Sequence, residues 1–173
     1  MELSEIKERL NKFDSNKLID IVKNYKQYGY NDEIRTYALN LLAENGISKL
    51  DLQMTGEYEN VTYNSANTLY ESFKKNSRFA FICYILVFVS KIISPLLNIE
   101  PNLLITIIFF AAVILYLIFL IRSFLNQSDF YKLAGDNYGS EGALVYFFLG
   151  MPFYMILYFF FQSQMKEKLK SIT

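Results

Sequence analysis

Polar side chains recur along one face of an apolar segment that runs from residue 79 to residue 98. The segment, FAFICYILVFVSKIISPLLN, carries one charge, on Lys91. Spacings of three, four and seven residues place four polar positions near one helical face, namely Tyr84, Lys91, Ser94 and Asn98. An ionisable group inside a membrane-crossing helix is a functional candidate, because a charge in lipid is costly. This face would suit the lining of an ion path.

Lys91 also has a second interpretation. It lies about seven residues, or roughly 10 Å of helix, from the end of the segment. A lysine stem can carry its amine to the membrane interface, where it would meet Glu100. The sequence leaves both roles open.

A second candidate face lies in the uncharged stretch at residues 142–162. Its positions four residues apart are Tyr146, Gly150, Tyr154 and Tyr158. Gly150 would allow another helix to approach closely, and Pro152 would bend a helix axis. We predict a helix–helix or subunit contact with a kink. The alternative is that tyrosine simply replaces phenylalanine in an aromatic-rich chain without tryptophan.

Residue types that dominate catalysis and metal binding are scarce in this chain. It has no histidine and a single cysteine, Cys83, inside an apolar run, where a free cysteine usually acts as a small hydrophobic residue. No phosphate-binding glycine pattern, metal-ligand spacing or nucleophile elbow occurs. The net charge is zero, whereas nucleic-acid binders are normally basic. We therefore predict a non-enzyme with no cofactor, no metal and no nucleic-acid partner.

The charge distribution divides the chain into two parts. Residues 1–78 contain 11 basic and 12 acidic side chains, and the remainder contains six and five. In the first part, apolar residues recur at helical spacing and predict three amphipathic helices. Asp14 or Ser15 would begin the second helix and Asn31 the third, Gly29 and Asn45-Gly46 would end them, and Ser48 would start a short fourth turn.

Amphipathic helices as short as these must bury their apolar faces on one another, on a partner or on a bilayer. We predict that residues 1–54 form a helical domain that binds a protein partner. The candidate face comprises Leu18, Tyr25, Tyr28, Tyr30, Tyr37 and Leu41. Over roughly residues 16–50, the Tyr28-Gly29-Tyr30 turn before Ala38-Leu39 resembles small three-helix binding modules such as ubiquitin-associated domains, a pattern that many helical hairpins share.

A polar stretch and a stalk connect this domain to the apolar part. Residues 55–64 are rich in turn formers and predict a loop. Ser65 would cap a helix that continues through residues 65–78 into the first apolar segment as a stalk. Glycosylation-type triplets begin at Asn60 and Asn126, and matches of this length occur often by chance.

Three apolar segments follow, at residues 79–98, 103–121 and 142–162. The first two are long enough to cross a hydrocarbon core of about 30 Å. Basic residues precede the first segment and follow the second, whereas the connection between them, around Glu100, has none. Because basic residues stay on the cytoplasmic side, we predict a cytoplasmic N-terminus and a multi-pass protein of the cell (inner or plasma) membrane. After Arg122, a short amphipathic surface helix and a plain loop are both consistent with the sequence.

The sequence of the third segment is consistent with a C-terminal tail on either side of the membrane. If it crosses, the basic tail at residues 163–173 lies outside, against the charge bias. If it re-enters at Gly150–Pro152, the charges agree, but a turn in lipid frees backbone hydrogen-bonding groups at several kcal/mol each. A proline kink frees far fewer groups, so the sequence favours a kinked third span.

Together these features predict an all-α, polytopic membrane protein with a small cytoplasmic helical domain. The expected function is a membrane-anchored interaction or assembly protein whose partners are the bilayer and either another protein or a second copy. The alternative is a subunit of an oligomeric pore or small channel-type effector. Three spans cannot enclose a water path alone, and the polar face is sparse, which favours the first function.

Overall fold

The computed structural model of the 173-residue chain describes residues 3–96, 102–136, 153 and 158–172. These residues form α-helices and turns, with no strand among them, so the predicted all-α class is confirmed for the described part. The chain divides into two compact units, with the boundary after Asn64.

The first unit contains four short helices with clear sequence signals at their ends. They are α1 (Leu3–Leu10), α2 (Ser15–Asn24), α3 (Asp32–Glu44) and α4 (Lys49–Met54). The side chains of Asp14, Asn31 and Ser48 accept hydrogen bonds from backbone N–H groups in the first turns that follow them. Gly29 and Gly46 have φ angles of 74° and 83°, a left-handed conformation that glycine adopts without strain. The predicted helices are confirmed, and of the two starts considered for the second helix, Asp14 is the one observed.

The apolar stripes of these helices form one core. Its fully buried members are Leu10, Leu18, Ile21, Val22, Ile34, Ala38, Leu42 and Leu52. Because each helix contributes its stripe, the helices bury their apolar faces on one another. The first of the three packing alternatives raised by the sequence therefore describes this unit.

Arg35 links three parts of the first unit. Its guanidinium lies 4.7 Å from the ring centre of Tyr25 and 4.0 Å from that of Tyr58. Nε donates to the carbonyl of Val22 and an Nη donates to the carbonyl of Tyr58. Planar stacking combined with several donors is a property of arginine that lysine lacks. This side chain thereby ties α3 to α2 and to the segment that precedes α5.

Helix α5 (Val61–Leu96) begins four residues before Ser65, where the sequence predicted its cap. Asn60 has the capping role instead, since its side-chain oxygen accepts from the N–H of Tyr63 at 2.8 Å. Its amide nitrogen donates to Asn24, which in turn donates to Asp20, each at 2.7 Å. The predicted loop over residues 55–64 is therefore too long, because a buried side chain from α2 stabilises the earlier start.

The second unit contains the rest of α5, α6 (Leu103–Leu133) and a helical stretch at residues 158–170, here called the C-terminal helix. The side chain of Asn102 caps α6 by accepting from the N–H of Ile105. Helix α6 extends well past residue 121, where the second apolar segment ends. The predicted surface helix or loop after Arg122 is therefore wrong, because the chain continues as α6 to Leu133.

The buried positions of α5 and α6 follow a coiled-coil spacing. On α5 they are Ala66, Tyr70, Phe73, Ser77 and Ala80, and on α6 they include Tyr116, Leu120, Ser123, Gln127 and Phe130, with Tyr131 buried outside this spacing. Both sets advance by alternating steps of four and three residues, as in the seam of a coiled coil. The C-terminal helix adds buried residues at Tyr158, Met165 and Leu169.

Among the described residues, α6 is the one helix that is long and apolar enough to cross a membrane. Only 11% of its most apolar window is buried inside the protein. This exposure distinguishes α6 from the central helix of a water-soluble protein, whose apolar residues are mostly covered.

Candidate functional site

Three residue pairs connect α5 and α6, and α5 contributes a polar side chain to each. We call these pairs, Lys91–Phe109, Tyr84–Tyr116 and Ser77–Ser123, the polar seam. The Lys91 amine lies 4.5 Å from the ring centre of Phe109, and the rings of Tyr84 and Tyr116 are 5.8 Å apart. The hydroxyls of Ser77 and Ser123 share a hydrogen bond. From one pair to the next, the residue number falls by seven on α5 and rises by seven on α6. The helices are therefore antiparallel with one constant register.

The serine pair is the most enclosed part of the polar seam. Both side chains are fully buried, and either hydroxyl can donate to the other. A buried polar group without a partner is costly, so each serine stabilises the burial of the other. Because the bond forms only when these two positions face each other, it selects the register, as single buried polar residues do in coiled coils.

Gln127 lies one helical turn after Ser123 on the same buried face of α6. Its side chain is 2% exposed, and neither amide atom has a hydrogen-bond partner among the described residues. Phe130, also buried, follows it on this face. An unpaired buried amide typically costs about 1–3 kcal/mol per polar group. Within the described part of the chain, Gln127 therefore carries a desolvation cost that no hydrogen bond offsets.

The predicted intramembrane face is directed toward α6. Tyr84 also contacts the ring of Phe88, and Lys91 has the Phe109 ring as its neighbour. Asn98 and the side chain of Ser94 lie outside the described residues. Both members that can be placed contact α6; Tyr84 is partly buried there, whereas Lys91 remains exposed.

One member of the second predicted face lies within the described residues. Tyr158 is buried against Ala80, Tyr116 and Leu120, and its ring is 6.3 Å from that of Phe81. It therefore takes part in a helix contact. The other positions of this face and its proposed kink fall outside the described residues, and they are Tyr146, Gly150, Pro152 and Tyr154.

The predicted partner-binding face of the first unit needs correction. Leu18 and Tyr25 are buried in that unit, at 1% and 8% exposure. Tyr30, Tyr37 and Leu41 pack partly buried against the same core. Leu18 and Tyr25 are therefore core residues of this unit, whereas Tyr30, Tyr37 and Leu41 keep part of their surface exposed.

Tyr28 is the exposed member of the predicted face, with half of its surface accessible. Its hydroxyl donates to a carboxylate oxygen of Asp20 at 2.7 Å. That hydrogen bond, followed by burial, raises the pKa of the Tyr28 hydroxyl above its ordinary value. Tyr28 therefore presents a neutral, oriented ring at the surface near physiological pH.

A second exposed apolar feature of the first unit is on α4. Leu50 and Met54 are 63% and 79% exposed, and their four-residue spacing places them on one helical face. Leu52 points the other way and is buried in the core. A capping box fixes this short helix, since Ser48 and Asp51 each accept from the backbone N–H of the other. The outward pair is consequently held in a defined position.

Sequence reasoning missed Ser77, Ser123 and Gln127. The available signal was the seven-residue recurrence of polar residues along α5, at Tyr70, Ser77, Tyr84 and Lys91. An equivalent four-three spacing on α6 runs past Arg122 into a stretch that was interpreted as a loop or surface helix. Extending the heptad across that boundary would have identified all three residues.

The described residues contain no group of three or more histidine, cysteine or acidic side chains that could hold a metal ion. Comparison with protein-family models, with curated proteins and with solved structures gave no match. Any functional conclusion for this chain therefore depends on its own geometry.

Proposed function

We propose that this chain is a multi-pass membrane protein that holds a helical module, residues 3–64, at the cytoplasmic surface to bind a protein partner. The observation that carries this proposal is that the two units differ in how far their apolar side chains are buried. The first buries its apolar residues in a core of its own. The second leaves large apolar side chains along α6 exposed, among them Leu104, Ile108, Ile114 and Ile118.

We propose α5 as a second membrane span because of its exposed apolar side chains, since its length and hydropathy alone do not single it out as those of α6 do. The exposed apolar side chains of α5 are Phe79, Ile82, Leu86, Phe88, Val89, Ile92 and Leu96. Between Arg78 and Leu96 the helix rises about 27 Å, and between Leu103 and Arg122 α6 rises about 29 Å. Both distances fit a hydrocarbon core of about 30 Å. The hairpin would thus cross the bilayer twice, with its basic end in the cytoplasm.

Contacts of the C-terminal helix support a re-entrant third segment rather than a crossing. Its Lys168 amine lies 3.0 Å from the Asp136 carboxylate, just beyond the end of α6. Its Tyr158 contacts Phe81, nearer the middle of the hairpin. The helix therefore runs in the same direction as α6, away from the proposed bilayer. We accordingly propose that the basic tail is cytoplasmic, which reverses the preference drawn from the sequence.

A pore lined by the polar face of α5 receives no support from these contacts. Tyr84 and Lys91 contact Tyr116 and Phe109 of the same chain, and of these two polar residues only Lys91 is exposed. A water path needs polar groups that face an open lumen. An interaction protein needs only an exposed recognition surface, and the first unit offers Leu50, Met54 and Tyr28. We therefore favour the interaction function.

The test uses the full-length chain in native membranes, an amine-reactive crosslinker and peptide mass spectrometry. Lys49 adjoins the exposed face of α4, so we expect it to yield intermolecular crosslinks to a partner protein or a second copy. Leu50→Glu/Met54→Glu should reduce these crosslinks at least tenfold. Gln53→Glu adds one charge at an exposed polar position of α4 and should retain them.

Circular dichroism and thermal unfolding of each variant establish that the first unit remains folded. Crosslinks of equal yield in all three proteins would show that α4 is not the recognition surface. A folded wild-type chain with no intermolecular crosslink at Lys49 would overturn the interaction function proposed for this module.

A further inference from the structure

Seven of the nine cations of the second unit fall into two groups that differ in their acidic partners. Lys91, which lies over the Phe109 ring, and Lys170 belong to neither group. Lys74, Lys132 and Lys168 each lie within 4 Å of a carboxylate, on Glu71, Asp129 and Asp136. The cations of the other group have no ion-pair partner among the described residues and are exposed, and they are Lys75, Arg78, Arg122 and Lys166. We call this second group the basic collar.

Two arginines of the basic collar lie at the same level of the hairpin. Arg78 follows Ser77 and Arg122 precedes Ser123, and the two serines are hydrogen-bonded to each other. Because α5 and α6 are antiparallel, both arginines are one residue farther toward the apolar end than the serine bond. They therefore mark one plane across the helix pair.

That plane coincides with the start of the exposed apolar surface. Phe79 follows Arg78 and is 43% exposed, while Ile121 precedes Arg122 and is 41% exposed. The ring of Phe79 is stacked on that of Phe119, 5.2 Å away. A change from apolar to cationic side chains within one residue on both helices is the pattern expected where acyl chains meet headgroups.

The remaining members extend the basic collar toward the cytoplasm. Lys75 lies one turn before Arg78. Lys166 is eight residues, or about 12 Å of helix, beyond Tyr158, which contacts Phe81. All three helices of the unit thus contribute cations within a short distance of the boundary. Arginine forks match phosphate oxygens in a bidentate geometry.

We propose that the basic collar binds the phosphodiester headgroups of anionic phospholipids in the cytoplasmic leaflet, in preference to zwitterionic ones. This inference depends on the membrane insertion proposed above. None of the acids among the described residues pairs with the collar cations, whereas Lys74, Lys132 and Lys168 each have a carboxylate partner. External anions therefore supply the missing negative charge, and phospholipids are the anions concentrated at this level.

The experiment measures lipid binding to the full-length protein in detergent by native mass spectrometry, using phosphatidylglycerol and phosphatidylcholine with identical acyl chains. A juxtamembrane cation contributes about fivefold to anionic-lipid affinity. Arg78→Gln/Arg122→Gln should therefore reduce the preference for phosphatidylglycerol by roughly 25-fold. Lys132→Gln, which removes a cation paired with Asp129, should leave the preference within about twofold of wild type.

A parallel arm with glycerol phosphate distinguishes a lipid from a soluble phosphate. Equal competition by glycerol phosphate at the lipid concentration would overturn the assignment to a membrane lipid. Equal affinity for the two lipids, or an unchanged preference in the double arginine variant, would overturn the inference itself. Carbonate extraction of native membranes separates these results from failure of the proposed function, since release of the chain would refute membrane insertion.

Discussion

Gln127 shows how one side chain can oppose the contact in which it lies. Its buried amide has no hydrogen-bond partner among the described residues, whereas Ser123, one turn away, is hydrogen-bonded to Ser77. The two cases have similar burial but opposite energetic consequences, because satisfaction of the polar atoms decides the sign. Gln127 is consequently the position where a substitution is most informative.

We predict that Gln127→Leu raises the thermal unfolding midpoint of the detergent-solubilised protein. Leucine removes two unpaired polar atoms and adds apolar contact, a gain of about 1–3 kcal/mol. Gln53→Leu, at an exposed position of α4, serves as the control and should change stability by less than about 0.5 kcal/mol. A lower midpoint for Gln127→Leu would mean that the amide has a partner that stabilises the fold.

Helix α4 illustrates how a very short element is stabilised from its N-terminus. Ser48 and Asp51 satisfy each other's backbone N–H groups, which would otherwise have no intrahelical acceptor. Hydrogen bonds from the side chain and the backbone of Ser48 hold the pKa of the Asp51 carboxyl below its ordinary value. The charged form of this side chain is therefore linked to the folded form of α4.

The linkage gives a pH dependence with a defined sign. Because the folded-state pKa of Asp51 is depressed, its contribution to α4 is complete above the unfolded pKa of about 3.9 and is lost as pH falls through the lower folded value. We predict constant amide protection of α4 between pH 7 and about 4.5, and loss below that range, measured by hydrogen exchange.

Substitutions at Ser48 provide the matched comparison. Ser48→Ala should return the pKa of Asp51 toward its ordinary value, as followed by the carboxyl carbon chemical shift, whereas Ser48→Thr retains the hydroxyl and should preserve the depression. An identical titration in all three proteins would contradict the capping-box explanation.

The hairpin of α5 and α6 depends on register. Three contacts at seven-residue intervals define it, and a strict seven-residue repeat implies a left-handed supercoil. Short-range propensity alone would not favour helix over residues 122–133, which include serine, asparagine and aspartate. Burial of Ser123, Gln127 and Phe130 against the rest of the unit overrides that preference.

We predict that Ser77→Cys/Ser123→Cys forms a disulfide on mild oxidation in a Cys83→Ala background. The two hydroxyls are within hydrogen-bonding distance, so the replacement sulfurs would lie close enough for a bond of about 2.05 Å. Ser77→Cys/Ser128→Cys displaces one thiol by five residues along α6 and should remain reduced. Mobility on non-reducing gels reports the result, and preferential crosslinking of the control pair would indicate a different register.

At the scale of the whole molecule, the chain combines a helical module that has its own core with a helical unit that exposes large apolar side chains along α5 and α6. The two units have separate cores. In the proposed membrane arrangement, the contacts of the second unit indicate on which side the C-terminal tail lies. The ion pair between Lys168 and Asp136 supports a tail on the same side as the end of α6.

We predict that a cysteine at Ser171, in a Cys83→Ala background, is protected from an impermeant maleimide in intact cells and is modified after lysis. Lys12→Cys in the first unit should behave in the same way, because we propose that both lie in the cytoplasm. Glu100→Cys, in the predicted outer connection, should be labelled without lysis. Labelling of the Ser171→Cys protein from outside would restore the crossing third span.

Local signals determined the helices of the first unit and the all-α class. Caps such as Asp14 and Asn31 act within three residues, and apolar spacing depends only on neighbouring turns, so both can be recognised without knowledge of the fold. The exposed apolar side chains of α6 likewise follow from a run of uncharged residues. In each case the physical cause lies within one or two helical turns of sequence.

Tertiary structure alone decided which apolar and polar faces are covered. Leu18 and Tyr25 have the composition of a binding face, yet neighbouring helices bury them. Ser77 meets Ser123, 46 residues away, and this pairing assigns Lys91 and Tyr84 to an internal contact. Sequence periodicity identifies the residues that share one helical face. It does not show which segment packs against that face, because distant segments meet only in the folded chain.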